Sequence, residues 1–373
     1  MKRILVTSTD MMMIQFLVPH VLYLREQGYD VEVACSEVGN RFEEVQNFLG
    51  GDKTFKVRLH RNPLKLGNLK GLTDLKRIIN GGNYDLIWTN EPVMGIMTRL
   101  AAKKARKNGV KVIYLTHGYH FFKGGQFKYK LFYPIEKAMS RYCDVIMTVN
   151  YEDYELSKKK FHAKKVVHID GIGLDVQKFG TTIDEITKRK ELGVTEDAFV
   201  ILSVGELKPH KNHKTVIDAI AQIDRKNIIY LICGKGELLN KLQKKAKRLR
   251  IEEKVKFLGY RKDVHEIMQC ADIFVFPSKR EGLGLASLEA MAAGLPIVGA
   301  KTRGVVDYVV DDKTGYLCGV ENPNDYASAI LKLYDNQNKI IQMSLRCKEA
   351  VIKYDIKTIQ QRIFKEIEEL MRL

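Results

Sequence analysis

The chain has 373 residues, 45% of them hydrophobic and 29% charged, which is the composition of an ordinary globular protein and enough length for two domains with cores of their own. No run approaches the roughly 18 to 20 apolar residues of a membrane span, and the opening MKRILVTSTD turns polar too early for a signal sequence, so we expect neither a spanning nor an exported protein. A formal charge of +17 favours anionic partners such as nucleic acid, acidic lipid headgroups or phosphorylated small molecules.

Strand-like and helix-like segments alternate through the first half of the chain. Short β-rich runs predict strands at 3–8, 30–36, 54–59, 84–90, 111–118 and 144–150. Helical periodicity fills the intervals, as in VPHVLYLREQG, where Gly28 is a plausible C-cap. This alternation predicts βαβ crossovers and a parallel sheet covered by helices on both faces.

The same series restarts in the second half, with strands predicted at 198–205, 228–234, 254–259, 272–278, 296–300 and 314–319. The simplest architecture is α/β, with two Rossmann-like domains at 1–175 and 176–354. The tail 355–373 predicts a long amphipathic helix, and the sequence leaves open whether it packs on its own domain or on the first one. Its apolar stripe consists of Ile359, Ile363, Ile367 and Leu370.

The cysteines indicate the cellular compartment. Six of them lie far apart, without a CxxC pair, and mostly within strand-like or helix-like segments. This pattern is typical of buried thiols in a reducing cytoplasm and not of disulfides or a zinc site. We therefore expect a cytoplasmic protein.

The loops that follow the second-half strands are the candidate ligand site, because open parallel sheets bind ligands beyond the carboxyl ends of their strands. These loops are rich in Gly, Lys, Glu and Ser. They occupy residues 204–213, 233–237, 258–263 and 277–290.

The last of these loops carries two acids around a predicted helix at 284–293. Glu281 precedes the helix and Glu289 lies about two turns inside it, so their carboxyls are on the order of 10 Å apart, too far for one metal ion or a shared proton. Acids so spaced suit hydroxyls at the two ends of one extended ligand. Gly282 and Gly284 let backbone N–H groups at the helix N-terminus approach a diphosphate. The residues thus favour a nucleotide sugar.

These motifs also carry a family resemblance. SVGELKPHKNH, CGKGE, VKFLGYRKDV, the E-x7-E run with EAMAAGLPIVGA, and KTRGVVDYVVDDKTGYL resemble, in this order over about 198–335, the donor half of retaining family-4 glycosyltransferases of GT-B architecture. QFLVPHVLYLREQGYDVEVACS, NPLKLGNLKGL and THGYHFFKGG resemble the acceptor domains of bacterial capsular and exopolysaccharide transferases. The resemblance implies two Rossmann-like domains with parallel sheets facing across a cleft, the first binding the acceptor and the second the donor.

The resemblance also implies residue roles. Glu281 would bind hydroxyls of the transferred sugar, Lys211 the diphosphate, and His117 would face the donor sugar; these three are the implied catalytic residues. Glu289 would bind the ribose. Further donor contacts are implied at Gly205, Gly234, Gly236, Gly259, Tyr260, Gly284, Leu285 and Ala286.

The chain departs from the family pattern in two places. Glu206 stands where the family often has an arginine, so one cationic diphosphate contact is missing or is replaced by Arg280, Lys208 or Lys279. The loop after the first strand, within 8–15 (STDMMMIQ), has no glycine, which leaves phosphate or acceptor contacts there in question.

The resemblance implies retention of configuration without a divalent metal or another cofactor. In agreement, the chain contains no D-x-D sequence. Charge on the departing nucleotide would be met by Lys211 and the helix N-terminus, and the leaving phosphate could take the acceptor's proton on the same face.

The segment 123–141 (KGGQFKYKLFYPIEKAMSR) interleaves lysines with aromatics, as suits the interfacial zone of a bilayer. An aromatic face packed on the sheet with lysines outside explains the pattern equally well, and the resemblance favours the anionic inner face of the cell membrane. The candidate membrane or acceptor residues are Lys123, Lys128, Lys130, Phe132 and His120.

The leading hypothesis is a peripheral membrane enzyme that moves a hexose or N-acetylhexosamine from a UDP-sugar to a polyprenyl-diphosphate-linked saccharide, in capsular, exopolysaccharide or O-antigen biosynthesis. Only the resemblance favours UDP over GDP. A UDP-sugar epimerase of the same architecture is the nearest alternative. A basic nucleic-acid-binding protein is a third, but the aromatics show no RNP-like pattern and the basic residues are scattered over both halves.

Overall fold

The structure is a computed structural model that describes residues 1–63, 65–122, 130–181 and 183–372. The chain forms two compact units. Unit 1 comprises Met1–Gly173 together with Lys357–Leu373, and unit 2 comprises Leu174–Ile356. The sequence placed this boundary between residues 175 and 176, within two residues of the division between Gly173 and Leu174.

Unit 1 is built on a seven-stranded parallel sheet in the order β3-β2-β1-β4-β5-β6-β7. The strands are β1 Arg3–Thr9, β2 Asp30–Ser36, β3 Thr54–Val57, β4 Leu86–Asn90, β5 Lys111–Thr116, β6 Val145–Thr148 and β7 Lys165–His168. Six of them confirm the predicted strands. The sequence missed β7, because its four residues at the sheet edge are exposed or half-buried and lack the apolar run that identified the others.

Helices connect the strands of unit 1. They span Asp10–Met12, Val18–Glu26, Phe42–Leu49, Asn68–Gly81, Pro92–Ala101, Lys103–Lys107, Phe132–Met139 and Tyr151–Lys160, with a π-helical segment at Met13–Leu17. The order of winding changes between β1 and β4, which are neighbours in the sheet although the chain visits β2 and β3 between them. Such a switch point opens a crevice at the carboxyl ends of the two strands.

The C-terminal helix spans Ile356–Arg372, and its residues from Lys357 onward belong to unit 1. The predicted apolar stripe is its buried face: Ile359, Ile363, Ile367 and Leu370. Polar contacts add to this packing. Lys165 Nζ lies 2.5 Å from a carboxylate oxygen of Glu366, and Lys2 Nζ donates to the carbonyl of Met371 at 2.6 Å.

Unit 2 contains a six-stranded parallel sheet in the order β10-β9-β8-β11-β12-β13. The strands are β8 Phe199–Val204, β9 Ile228–Cys233, β10 Val255–Gly259, β11 Ile273–Phe276, β12 Ile297–Ala300 and β13 Gly315–Cys318. All six confirm predicted strands. The helices are Val176–Phe179, Glu185–Glu191, His213–Ile220, Leu239–Arg248, Val264–Gln269, Leu285–Ala292, Pro323–Tyr334 and Gln337–Val351.

Two further predictions concern the interior and the membrane. All six cysteines are free and buried, as predicted. Among the residues that the structure describes, no helix combines the length and the apolarity needed to cross a bilayer.

Candidate functional site

The loops after β8, β9 and β10 are joined by backbone hydrogen bonds at the carboxyl edge of the unit 2 sheet. The amide of Gly205 donates to the carbonyl of Cys233 at 2.9 Å, and the amide of Gly234 donates to that of Gly259 at 2.7 Å. A Cβ on Gly234 would lie 1.9 Å from the Gly205 carbonyl oxygen, so this close approach requires glycine. The structure thus brings the predicted donor residues Gly205, Gly234 and Gly259 close together. The close approach of these loops already requires glycine at position 234, without any ligand.

The remaining predicted residues of these loops have different surroundings. A Cβ on Gly236 would lie 2.6 Å from the carbonyl oxygen of Leu207, so Gly236 also sits at a close loop contact. Tyr260 is 67% exposed, which leaves its ring accessible at the edge of the sheet.

Lys211 and Glu281, both predicted catalytic residues, form an ion pair. Lys211 Nζ donates to Glu281 Oε1 at 2.7 Å, and the two side chains are 19% and 13% exposed. Asn212, in a left-handed conformation with φ 57°, holds the two loops together because its side-chain amide donates to the carbonyl of Pro277 at 3.2 Å. A cation and an acid separated by 70 residues in the sequence therefore meet at the carboxyl ends of β8 and β11.

The helix Leu285–Ala292 begins beside this pair. Gly284 precedes it with φ 93°, and a Cβ there would lie 2.6 Å from the Phe276 ring and 2.9 Å from the Tyr308 hydroxyl. Burial raises the pKa of that hydroxyl far above its ordinary value of 10.0, so it remains a neutral donor. The first amides of a helix have no intrahelical acceptor, so those of Leu285 and Ala286 are available to an anion.

Glu289 lies in the second turn of this helix and is half-buried. Burial raises the pKa of its carboxyl above the ordinary 4.5, and the nearby charge of Lys178 opposes this only in part. Within the described residues its side chain makes no hydrogen bond or ion pair. A half-buried carboxyl of this kind is a candidate ligand-binding group.

The structure also places the candidate replacements for the missing arginine. Lys208 pairs with Glu206 itself at 2.8 Å, and Lys279 pairs with Glu321. Arg303 was not among the predicted site residues; it is 7% exposed and donates from Nε to the backbone carbonyl of Glu281 at 3.1 Å. Its position in the loop after β12, at the same edge of the sheet, was the available signal.

In unit 1, His117 follows β5 and lies beside Asn90 at the end of β4. The His117 Nε2 is 3.3 Å from Asn90 Oδ1, and Asn90 Nδ2 donates to the carbonyl of Thr7 at 3.4 Å. Burial, together with the neighbouring His20, lowers the pKa of His117 to about 4. The ring is therefore neutral at pH 7, and with Asn90 Oδ1 as acceptor its proton is on Nε2. Asn90 was missed by the sequence analysis.

The glycine-free loop after β1 has its own anchor. The Asp10 carboxylate accepts the backbone amides of Val38, Gly39 and Arg41 at 2.8 to 3.1 Å. Burial raises the pKa of Asp10, but these hydrogen bonds outweigh it and the net shift is downward. The carboxylate after β1 thus ties this loop to the loop after β2 and occupies three amides of that second loop.

The predicted membrane or acceptor residues lie partly around a small apolar pocket in unit 1. Phe132 and His120 both line it, and it encloses about 60 Å³. Lys130 is exposed. Lys123 and Lys128 lie outside the described residues.

Comparisons with known proteins cover both units. Residues 184–353 match the family described as "Glycosyl transferases group 1", and residues 4–150 match "Glycosyl transferase 4-like". The chain is 31% identical over 368 residues to a candidate glycosyltransferase, EpsD, of Bacillus subtilis (strain 168), covering 96% of this chain and 95% of that one. It is 28% identical over 338 residues to the UDP-Gal:alpha-D-GlcNAc-diphosphoundecaprenol alpha-1,3-galactosyltransferase of Escherichia coli, covering 88% and 86%.

Two solved structures have a similar fold over nearly the whole length of this chain. Anabaena Alr3699/HepE in complex with UDP is similar with a TM-score of 0.83 at 21% identity, covering 99% of this chain and 100% of that one. WaaG, a glycosyltransferase involved in lipopolysaccharide biosynthesis, is similar with a TM-score of 0.71 at 16% identity, covering 96% and 98%.

Proposed function

Since the chain belongs to the glycosyltransferases and has their GT-B fold, we propose that it moves a sugar from a UDP-sugar to a saccharide carried on a polyprenyl diphosphate, with retention of configuration. The family and the fold class predicted from the sequence are confirmed. The proposed sugar is a hexose or an N-acetylhexosamine. The proposed setting is the synthesis of a capsule, an exopolysaccharide or an O-antigen.

The observation that carries this proposal is the Lys211–Glu281 pair beside the N-terminus of the helix Leu285–Ala292. A diphosphate needs positive charge and free amides, whereas a sugar needs hydrogen-bond acceptors for its hydroxyls. Lys211 and the amides of Leu285 and Ala286 supply the first set. Glu281 and, on the side of the ribose, Glu289 supply the second.

The proposed reaction breaks the bond between the anomeric carbon and the diphosphate oxygen, whose electron pair leaves with UDP. The acceptor hydroxyl forms its bond to the same carbon from the same face, and its proton passes to the departing phosphate oxygen. Lys211 and the helix N-terminus stabilise the negative charge that develops on UDP. We propose that no metal ion or other cofactor takes part, and this part of the proposal rests on the family resemblance.

We place the donor in unit 2 and the acceptor in unit 1. The Escherichia coli relative is named for an acceptor on diphosphoundecaprenol, which has an anionic head and an apolar tail. Unit 1 offers matching features, namely the apolar pocket and the exposed side chains of Leu66, Leu69, Leu131 and Ile135. Together with the basic charge of the chain, these residues support the proposal that the enzyme binds the anionic cytoplasmic face of the cell membrane.

Two measurements test this function. Thermal-shift screening against UDP-, GDP- and dTDP-sugars should raise the melting temperature with UDP-sugars, because a ligand bound only to the folded state stabilises it. Product analysis by NMR and mass spectrometry should then show a new glycosidic bond on a prenyl-diphosphate saccharide. A new epimer of the UDP-sugar formed without any acceptor would overturn the transfer reaction in favour of epimerisation.

A further inference from the structure

Glu91 has an unusual backbone conformation, directly after β4 and before the helix Pro92–Ala101. Its φ of 64° and ψ of 157° lie in a region that is almost confined to glycine. The following proline accounts for the extended ψ but favours a negative φ. A side chain at this position is therefore costly to the fold, and such strain is concentrated at functional sites.

The two carboxylate oxygens of Glu91 have different surroundings. Oε2 accepts hydrogen bonds from the Ser8 hydroxyl at 3.0 Å and from the Thr9 amide at 2.7 Å. Oε1 forms an ion pair with Arg61, whose guanidinium nitrogen lies 3.8 Å away, beyond hydrogen-bonding distance. The side chain is only 11% exposed. The fold thus holds one oxygen firmly and leaves the other with acceptor capacity unused by any described residue.

Glu91 lines a cavity of about 440 Å³ at the switch point of the unit 1 sheet. This volume is within the range of about 300–1,000 Å³ that is usual for small-molecule sites. Its polar lining comes from the ends of β1, β2 and β4 and from two loops: Thr9, Ser36, His60, Arg61, Glu91 and His120. These hydroxyl, imidazole, guanidinium and carboxylate groups match a ligand with several hydroxyls.

We propose that this cavity holds the hydroxylated sugar of the acceptor and that Glu91 Oε1 accepts a hydrogen bond from one of its hydroxyls. Glu91 is then a specificity-determining residue, because an acceptor without that hydroxyl leaves a buried carboxylate oxygen without a hydrogen-bond donor. The guanidinium of Arg61 supplies positive charge on the same wall of the cavity for the anionic part of the acceptor. This inference rests on the proposed function, in that it requires a saccharide acceptor.

The variant Glu91→Gln isolates this contact. A glutamine oxygen in the Oε2 position keeps the hydrogen bonds from Ser8 and Thr9, while an NH₂ group replaces Oε1 and turns an acceptor into a donor. With α-linked N-acetylglucosamine on a water-soluble short-chain prenyl diphosphate as the probe, we expect the acceptor KM to rise at least about tenfold. The Kd for UDP should not change. Glu155→Gln, an exposed glutamate paired with Lys159, is the matched control and should change neither value.

Single-deoxy versions of the same probe provide the second measurement. With the wild-type protein, one deoxy position should raise the KM at least about tenfold, and with Glu91→Gln that same position should cause no further loss. If the variant does not fold, the deoxy series with the wild-type protein still decides, because equal KM values for all of its members would overturn the inference. Transfer by both proteins with the same KM for the intact probe would overturn the inference alone. No transfer to the probe by the wild-type protein would overturn the proposed acceptor class and the inference together.

Discussion

The Lys211–Glu281 pair permits a charge-balance test of the proposed donor site. Lys211→Met removes the positive charge, so the net charge of the pair changes from zero to −1. Glu281→Gln has the opposite effect, and the double variant restores the net charge of the wild-type pair. Because the side chains are 19% and 13% exposed, water screens these charges only in part.

The size of the effect follows from Coulomb's law. A unit charge about 5 Å from a second one, at an effective dielectric of about 20, contributes about 3 kcal/mol, or about a two-hundredfold change in Kd. Lys211→Met should therefore weaken UDP binding by about two hundredfold. Glu281→Gln should bind UDP at least as tightly as the wild-type protein, and the double variant should come within about tenfold of it.

Isothermal titration calorimetry with UDP measures these affinities, and UDP release in the presence of acceptor measures turnover. Turnover should fall at least about a hundredfold in all three variants, because each lacks the proposed leaving-group cation, the proposed sugar-binding acid, or both. Lys245→Met is the matched control: this lysine pairs with Asp218 at 2.5 Å between two helices of the same unit, and the variant should keep the wild-type Kd for UDP.

The proposed role of the pair is wrong if Glu281→Gln weakens UDP binding as much as Lys211→Met does. It also fails if the double variant binds UDP no better than Lys211→Met. Either result would mean that the charges of the pair do not act on the diphosphate.

Four further predictions concern other parts of the molecule. Burial lowers the pKa of His20 from 6.5 to about 4, so the unfolded chain binds more protons between these values and stability is lost as the pH falls. Urea unfolding measures the free energy of unfolding at pH 7 and at pH 4. Between these values, His20→Gln should lose about 3 kcal/mol less of this free energy than the wild-type protein, and an equal loss in both proteins would contradict the prediction. Glu91→Gly should be more stable than Glu91→Ala by about 1–3 kcal/mol, since both lack the carboxylate but only alanine keeps the strain; equal unfolding midpoints would exclude strain. Co-sedimentation with anionic liposomes should weaken with salt and by roughly a hundredfold when Lys123, Lys128 and Lys130 are all replaced by glutamine, whereas indifference to lipid charge would remove the membrane proposal. UDP release should be unchanged by EDTA, and its loss with recovery on adding Mg²⁺ would contradict a metal-free reaction.

Most of the fold could be predicted because its signal is local. Among the residues that the structure describes, twelve of the thirteen strands are apolar runs bounded by loops rich in glycine and polar residues. The order of strands and helices in an open parallel sheet follows from their alternation. Strand β7 was not predicted because a strand at an exposed sheet edge needs few apolar residues. The C-terminal helix was recognised by its apolar stripe, but its membership of unit 1 depends on contacts with residues near both ends of that unit's sequence.

A residue of the candidate site was predictable where both its chemical type and its position after a strand indicated a role. Glu281 and Lys211 stand in loops that follow strands, Glu289 lies in the helix after one of these loops, and the parallel sheet brings such loops to one edge. Arg303 follows β12 within the quoted run KTRGVVDYVVDDKTGYL, and Asn90 ends β4, but the sequence pattern gave neither residue a role of its own. Their importance became visible only through the groups that they contact.

By itself, the amino-acid sequence determined the two parallel sheets, the helix that begins after Gly284 and the family to which the chain belongs. Only the tertiary structure decided that Lys211 pairs with Glu281, that Asp10 binds the amides of the loop after β2 and that Glu91 is held with a positive φ. The physical reason is that periodicity and capping act over a few residues, whereas ion pairs and strained torsions depend on packing between distant segments.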